Sequence, residues 1–428
     1  MKRILIILLL IVASLYFFPF SPAFFPAMNT KMVMAGIGLI VVGFQMAKGQ
    51  RPVIDRDFLV IAGMAVIVSI IGFVAATYNS TPDYSYATYI VSMLVWLSAA
   101  NVVVSCVRQL HGNVTIGLIC DYLIAISVLQ CIIAIWADMS PTVKGFIDSL
   151  VSGDGFMGKV ESRLYGIGCS LDVAGIKFCA VLLMIADRLR RISISPSKRH
   201  LTVAYLVAFM IITVVGNMIA RSTTIGVVLS ITYLIITVNI DNKKDASHKY
   251  LWEWCIISLV GTIVIATFLY NTNPMIRSNI RFGFEGFFSL VEKGKWETHS
   301  NEILKSMIVF PDNLKTWIIG NGYFSNPSEI DPFYNGVQWK GYYQNTDIGY
   351  LRFIFYFGIF GLLAFMGYFI KVGTTCIKRF NAHKMFFTTL LALNFIVWCK
   401  VSTDIFVVFA LFLCLRKEEW DSTREITE

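Results

Sequence analysis

Apolar runs of the length that crosses a bilayer recur throughout this chain, and they restrict the fold more than any other feature. A hydrocarbon core about 30 Å thick takes about 20 residues of helix. Twelve apolar runs lie at residues 4–20, 32–47, 58–77, 86–107, 114–137, 169–186, 201–219, 223–240, 251–270, 348–370, 385–398 and 405–415. None shows the strict alternation of a membrane barrel strand. Backbone groups inside a bilayer have no water to bond, so each run must satisfy its own hydrogen bonds as a helix. The expected fold is therefore an all-α polytopic membrane protein with about 12 transmembrane helices. With 56% hydrophobic and 15% charged residues, an ordinary soluble domain is excluded.

The organisation follows from where the runs stop. Nine helices fill residues 1–270, a large polar loop covers 271–346, three helices follow in 347–415, and a charged tail occupies 416–428. The net charge of +9 does not signal a nucleic-acid partner, because the basic residues gather in alternate short loops. Lys48, Arg51 and Arg56 form one cluster, Arg108 and His111 a second, and Arg188, Arg190, Arg191, Lys198 and Arg199 a third. Lys371, Lys378, Arg379 and Lys384 form a fourth, and Lys2 and Arg3 precede the first run. Basic loops stay in the cytoplasm, which puts both termini inside and the 271–346 loop outside. A cleaved signal peptide is the competing reading of the first run, but Phe24, Phe25 and the nearby prolines make a poor cleavage region. The nine cysteines avoid the long loop and show no disulfide or metal-ligand spacing, so no metal site or cofactor is expected.

Ionisable residues at the exterior helix ends carry the functional signal, because each is costly near lipid unless it is paired or faces water. Arg221 stands in a tight turn between two apolar runs, and reads either as an arginine reaching lipid phosphates or as a fixed guanidinium for a substrate phosphate. Arg163, beside Glu161, raises the same question. In the long loop, Phe284, Phe287, Phe288 and Val291 share one helical stripe, and Arg281 and Glu285 have i,i+4 spacing. The stripe reads as a surface-lying or an ordinary packing helix. Gly320-Asn321-Gly322 permits a tight turn or close approach of backbone to a ligand. Around it lie Tyr323, Phe324, Phe333, Tyr334, Trp339, Tyr342 and Tyr343, aromatics that suit sugars and membrane interfaces alike. Asp347 and Arg352 flank the start of the tenth run and together imply a hydrated exterior pocket, although an acid there also suits a helix N-terminus.

In their order these features resemble the bacterial O-antigen polymerases (Wzy-type), within the wider group that includes the O-antigen ligases. The resemblance rests on Ala220-Arg221-Ser222, Arg281-Phe282-Gly283-Phe284-Glu285, His299-Ser300 with Leu304 and Met307, and Gly320-Asn321-Gly322-Tyr323. It is completed by Thr346-Asp347-Ile348-Gly349-Tyr350-Leu351-Arg352 and Gly358-Ile359-Phe360-Gly361. It implies a GT-C-like membrane glycosyltransferase of the bacterial inner membrane, whose partners are undecaprenyl-pyrophosphate-linked glycans and membrane lipids, with room for a polysaccharide chain-length regulator. The implied reaction is an inverting, metal-independent transfer of a growing glycan to a new lipid-linked repeat unit at the periplasmic face. Arg221, Arg281 and Asp347 become the expected catalytic residues. Arg163, Glu285, Gly320, Gly322, Tyr323, Tyr350 and Arg352 become the expected substrate contacts. Ligases carry a histidine where this chain has Asp347, which favours the polymerase. A polysaccharide flippase or other transporter is the alternative of another class, with Asp121, Asp172 and Lys177 as its buried path.

Overall fold

The computed structural model describes residues 2–49, 55–152, 163–192, 199–240, 246–339 and 341–420. Arg51, Glu161, Lys198 and the tail beyond residue 420 lie outside the described residues. Among the described residues ten helices precede the long loop: α1 (Lys2–Phe17), α2 (Thr30–Ala47), α3 (Arg56–Tyr78), α4 (Tyr89–His111), α5 (Ile116–Met139), α6 (Pro141–Leu150), α7 (Leu171–Ile192), α8 (Arg199–Ile219), α9 (Thr223–Ile240) and α10 (Ala246–Thr272). Five short ones build the loop: α11 (Pro274–Gly283), α12 (Glu285–Lys293), α13 (His299–Ser306), α14 (Leu314–Ile318) and α15 (Pro327–Ile330). After it come α16 (Gly349–Arg379), α17 (Lys384–Val397) and α18 (Phe406–Leu413). Extended pairing among the described residues is limited to the isolated bridges Pro22 with Val151 and Gly166 with Cys169. Among the described residues seven helices, α2, α3, α4, α5, α8, α10 and α16, are long and apolar enough to cross a membrane. The chain is thus an all-helical polytopic protein.

Helix α7 is the axis of one half of the bundle. Every residue from Ala174 to Asp187 is buried, against α5, α8, α9 and α17. It carries too many charges to look apolar by composition, and all but Lys177 lie towards its two ends. Near its C-terminus Arg188 binds Asp121 at 3.1 and 3.2 Å, and Arg191 and His383 both meet Asp187. Asp55 with Arg379, Asp57 with Lys371 and Arg108 with Glu419 join the same end of the bundle. These basic residues belong to the clusters that loop charge assigns to a single side. At the opposite end, in the first turn of α7, Asp172 binds Lys400 at 3.0 Å.

Helix α16 is broken. Phe357 (φ −134°, ψ 18°) and Gly358 (φ 70°, ψ −173°) leave the helical region, which frees carbonyls of the preceding turn. The long loop closes the gap: Asn321 N donates to Phe355 O at 2.6 Å and Gly322 N to Tyr356 O at 3.0 Å. A break at membrane depth is tolerated where other backbone satisfies it in this way.

The last two apolar runs differ from the expectation of two ordinary spans. At about 1.5 Å per residue, α17 is about 21 Å long and α18 about 12 Å, each short of a full crossing. Their turn is partly buried, with Trp398, Ser402 and Ile405 enclosed and Cys399 exposed, and it meets the start of α16 where Tyr350 N donates to Trp398 O. The enclosed turn residues pack on the start of α16, and Lys400 is held there by Asp172.

Asp83, in the α3–α4 connection, ties the long loop down. Its buried carboxylate accepts from Phe324 N at 2.7 Å and Ser325 N at 3.0 Å, and from Ser85 N and Oγ. Two experiments follow from this arrangement. With Asp83→Ala, loss of two charge-assisted bonds costs about 3 kcal/mol, read as a lower melting temperature and faster proteolysis within 310–345; wild-type values for both would remove the tether. Phe333 is 87% exposed on that loop, so Phe333→Cys reacts with an impermeant thiol reagent in outer-membrane-permeabilised cells, above the parent chain. Protection there would overturn the exterior assignment.

Candidate functional site

A cavity of about 690 Å³ opens at the α7 N-terminal end of the bundle. Arg163, Arg221, Arg281 and Glu285, drawn from three separate stretches of chain, all line it. Arg221 is held there by a braced turn: Ala220 N bonds Gly216 O at 2.7 Å and Thr224 Oγ1 bonds Asn217 Oδ1 at 2.7 Å, pinning α8 to α9. Helix α11 is started by Asn273, whose side chain caps Met275 N and Ile276 N ahead of Pro274 at its first turn. It ends at Gly283 against the backbone of Asn217, an approach a Cβ would obstruct at 3.1 Å. The loop helices and the Arg221 turn are therefore in register.

That junction alters the expected pairing of Arg281 with Glu285. Phe284 (φ −117°, ψ 26°) interrupts the helix, so the two residues belong to α11 and α12 and do not face each other. Glu285 forms its ion pair with Arg221 instead and accepts from His299 N at 3.2 Å. Arg281 is held by Glu292 at 2.8 and 3.1 Å and by Tyr270 Oη at 3.1 Å. Those hydrogen bonds, the tyrosine's first, raise its pKa from the ordinary arginine value. Phe282 stands between two guanidinium groups, with Arg221 4.4 Å and Arg163 5.0 Å from its ring centre. Burial pushes Arg163 down from its ordinary value, with Asp172 opposing. The apolar stripe divides: Phe288 stacks on Tyr270 at 5.8 Å, whereas Val291 is open to the outside.

A second polar cluster lies nearby. Asp172 is within electrostatic reach of Arg163, and Gly175, one turn further along α7, packs against Ser222, the neighbour of Arg221. Lys400, from the turn of the α17–α18 hairpin, completes the Asp172 ion pair. Asp347 faces this group half-buried, with no hydrogen bond or ion pair to another described residue. Burial raises its pKa, against the positive charge of Arg352. The two residues just before Thr346, Gln344 (φ 60°) and Asn345 (φ 52°), are left-handed, a costly pair for side chains other than glycine. Strain of this kind persists only where the surroundings fix it.

Arg352 is near Asp347 but does not bind it. Its guanidinium lies between the rings of Phe324 and Tyr342, at 3.7 and 3.4 Å, and donates to Ser402 Oγ at 2.6 Å and Phe324 O at 2.9 Å. Its Nε is buried and unbonded. The loop covers it, which accounts for a charged group in so apolar a place.

Four expected contacts have other work in the structure. Gly320 (φ 82°) and Gly322 (φ 73°) permit close approach, but to the chain's own atoms: a Cβ would meet Tyr356 O at 2.4 Å and Thr81 Oγ1 at 2.7 Å. Tyr323 Oη donates to Asp331 Oδ2 at 2.9 Å, and Tyr350 Oη to Phe395 O at 2.9 Å, packing edge-on to Trp398. None of these four lines the arginine cavity. The three residues of the transport path are also separated. Asp121 is paired at the Arg188 end of α7, roughly 24 Å of helix from Asp172, and Lys177 is buried beside the rings of Phe17 and Phe18.

Lys400 and Asp83 were not identified from sequence as site or tether. Lys400 sits between two apolar runs and reads as a loop charge, and nothing local links Asp83 to a loop more than two hundred residues away. The arrangement provides guanidinium groups around a hydrated cavity beside an unpaired carboxylate, a combination suited to holding a phosphate while a nearby hydroxyl loses its proton. No known protein family, curated protein or solved structure matches this chain.

Proposed function

We propose that this chain is a membrane glycosyltransferase that polymerises undecaprenyl-pyrophosphate-linked repeat units into a surface polysaccharide at the periplasmic face. The observation that carries the reading is the convergence of Arg163, Arg221 and Arg281, from distant parts of the sequence, on one cavity at the Asp347 end of the bundle. In this reading twelve helices lie in the inner membrane, both termini are cytoplasmic, and residues 271–346 lie in the periplasm. A second, apolar cleft of about 550 Å³ between α8, α10 and α12 shares Phe288 with the charged cavity. An anionic head beside an apolar tail is the shape of a polyprenyl pyrophosphate.

The chemistry then divides between the two clusters. Arg221 and Arg281 neutralise the pyrophosphate as the glycosidic bond to it breaks, which stabilises charge that is largest in the transition state. Asp347 accepts the proton of the acceptor hydroxyl that attacks the anomeric carbon from the opposite face, inverting it. The carboxylate at this position, where the ligases have a histidine, favours polymerisation over transfer to lipid A-core. The separation of Asp121 from Asp172 argues against a flippase.

Surface polysaccharide from cells lacking the gene, complemented with wild type or Arg281→Ala, tests the activity. Wild type restores a ladder of chain lengths, and the variant, slowed roughly 10²-fold or more, leaves a single repeat. Polymer retained on the lipid carrier would make the protein a ligase, and repeat units retained inside would make it a transporter. The pH profile tests Asp347. Because burial holds its proton to higher pH, activity rises with pH through an inflection above the ordinary aspartate value of about 4. Asp347→Asn removes that limb together with most of the activity; a variant that keeps both would exclude Asp347 as base.

A further inference from the structure

The cavity carries its own anions. Glu285 occupies Arg221, Glu292 grips Arg281 through both oxygens, and Glu297 lies 3.5 Å from Lys293. Arg163 has no carboxylate partner among the described residues and rests on Phe282. The carboxylates thus stand where phosphate oxygens would bind. This is an unexpected arrangement for a phosphate site, since each glutamate competes with the ligand.

The surroundings give the competition a purpose. The cavity lies beside apolar helix faces, in reach of membrane phospholipids, whose phosphodiester headgroups greatly outnumber any lipid-linked sugar. Guanidinium groups bind phosphate oxygens without regard to what else the phosphate carries. Bare arginines here would be filled by bulk lipid.

We propose that Glu285, assisted by Glu292, is a specificity-determining counter-ion that excludes singly charged phosphodiester headgroups and yields to a pyrophosphate. This rests on the pyrophosphate reading above. A phosphodiester brings one negative charge and displaces one carboxylate, an even exchange that gains little. A pyrophosphate diester brings two linked charges, so one molecule replaces both carboxylates and its second contact forms at high effective concentration. Glu285 also has somewhere to go. Its Oε1 already accepts from His299 N, the first residue of the eight-residue helix α13, where a negative charge is favoured once Arg221 is released.

The test uses the purified full chain in nanodiscs of the phosphate-free lipid digalactosyldiacylglycerol, with or without phosphatidylglycerol as half of the lipid, and undecaprenyl pyrophosphate as the probe. Wild type binds it with nearly the same Kd in both discs. Glu285→Gln binds at least as tightly as wild type in the phosphate-free disc and loses about fivefold in the phosphatidylglycerol disc, the scale of one partly exposed ion pair. Glu285→Asp restores the wild-type pattern. A Glu285→Gln variant weakened equally in both discs would make the glutamate a structural brace and overturn the proposal, as would one unchanged in both. Arg221→Ala separates this inference from the reading beneath it. That variant loses binding in either disc if pyrophosphate occupies the cavity, and if it binds normally, or wild type does not bind, the pyrophosphate reading itself falls and the inference with it.

Discussion

The backbone exchange between the long loop and the break in α16 is the contact on which the rest of this end of the protein depends. A helix opened at Phe357 and Gly358 exposes carbonyls that are costly to leave unbonded in an apolar setting. Asn321 N and Gly322 N supply the partners, and the two flanking glycines let the loop come close enough to do so. Helix break and loop are therefore one unit. Once they are joined, Phe324 is fixed over Arg352, and the Asp83 carboxylate holds the next two amides. The loop also acts as a roof over the first turns of α16, so Asp347 is half-buried instead of fully hydrated.

Electrostatics organises the remainder. Apart from Lys177, the charges of α7 lie at its ends, with Asp172 paired to Lys400 at one and Asp187 to Arg191 and His383 at the other. Removing one partner from such a buried pair leaves an uncompensated charge, which costs far more than the pair contributes. The stretch from Ala174 to Cys179 between them is buried, with Lys177 as its single charge.

Sequence periodicity and charge were enough to locate the helices and to single out Arg163, Arg221, Arg281 and Glu285, because span length and exterior charge are local properties. Partner choice is not local. Phe284 carries no helix-breaking signal, so Arg281 and Glu285 read as neighbours until the junction with Asn217 turns the chain. Gly320 and Gly322 announce a close approach, yet only the fold tells that the approach is to Tyr356 and Thr81 rather than a ligand. The α17–α18 hairpin reads as two spans because the charged turn at Lys400 and Asp404 divides two apolar runs, and the shortness of the helices shows only in the fold. Lys400 gained its meaning from Asp172, far away in the chain.

Helix α10 packs against α8 and α11, and no residue of its apolar span is fully buried by the rest of the protein. Wall and doorway are then the same element. Its firm ties to the loop are at its end, where Tyr270 accepts from Arg281 and stacks on Phe288. In the function proposed above, a polyprenyl pyrophosphate would approach along this lipid-facing side with its tail never leaving the hydrocarbon and its head level with the arginines. That route spares the carrier the most expensive step available to it, passage of a long hydrocarbon chain through water.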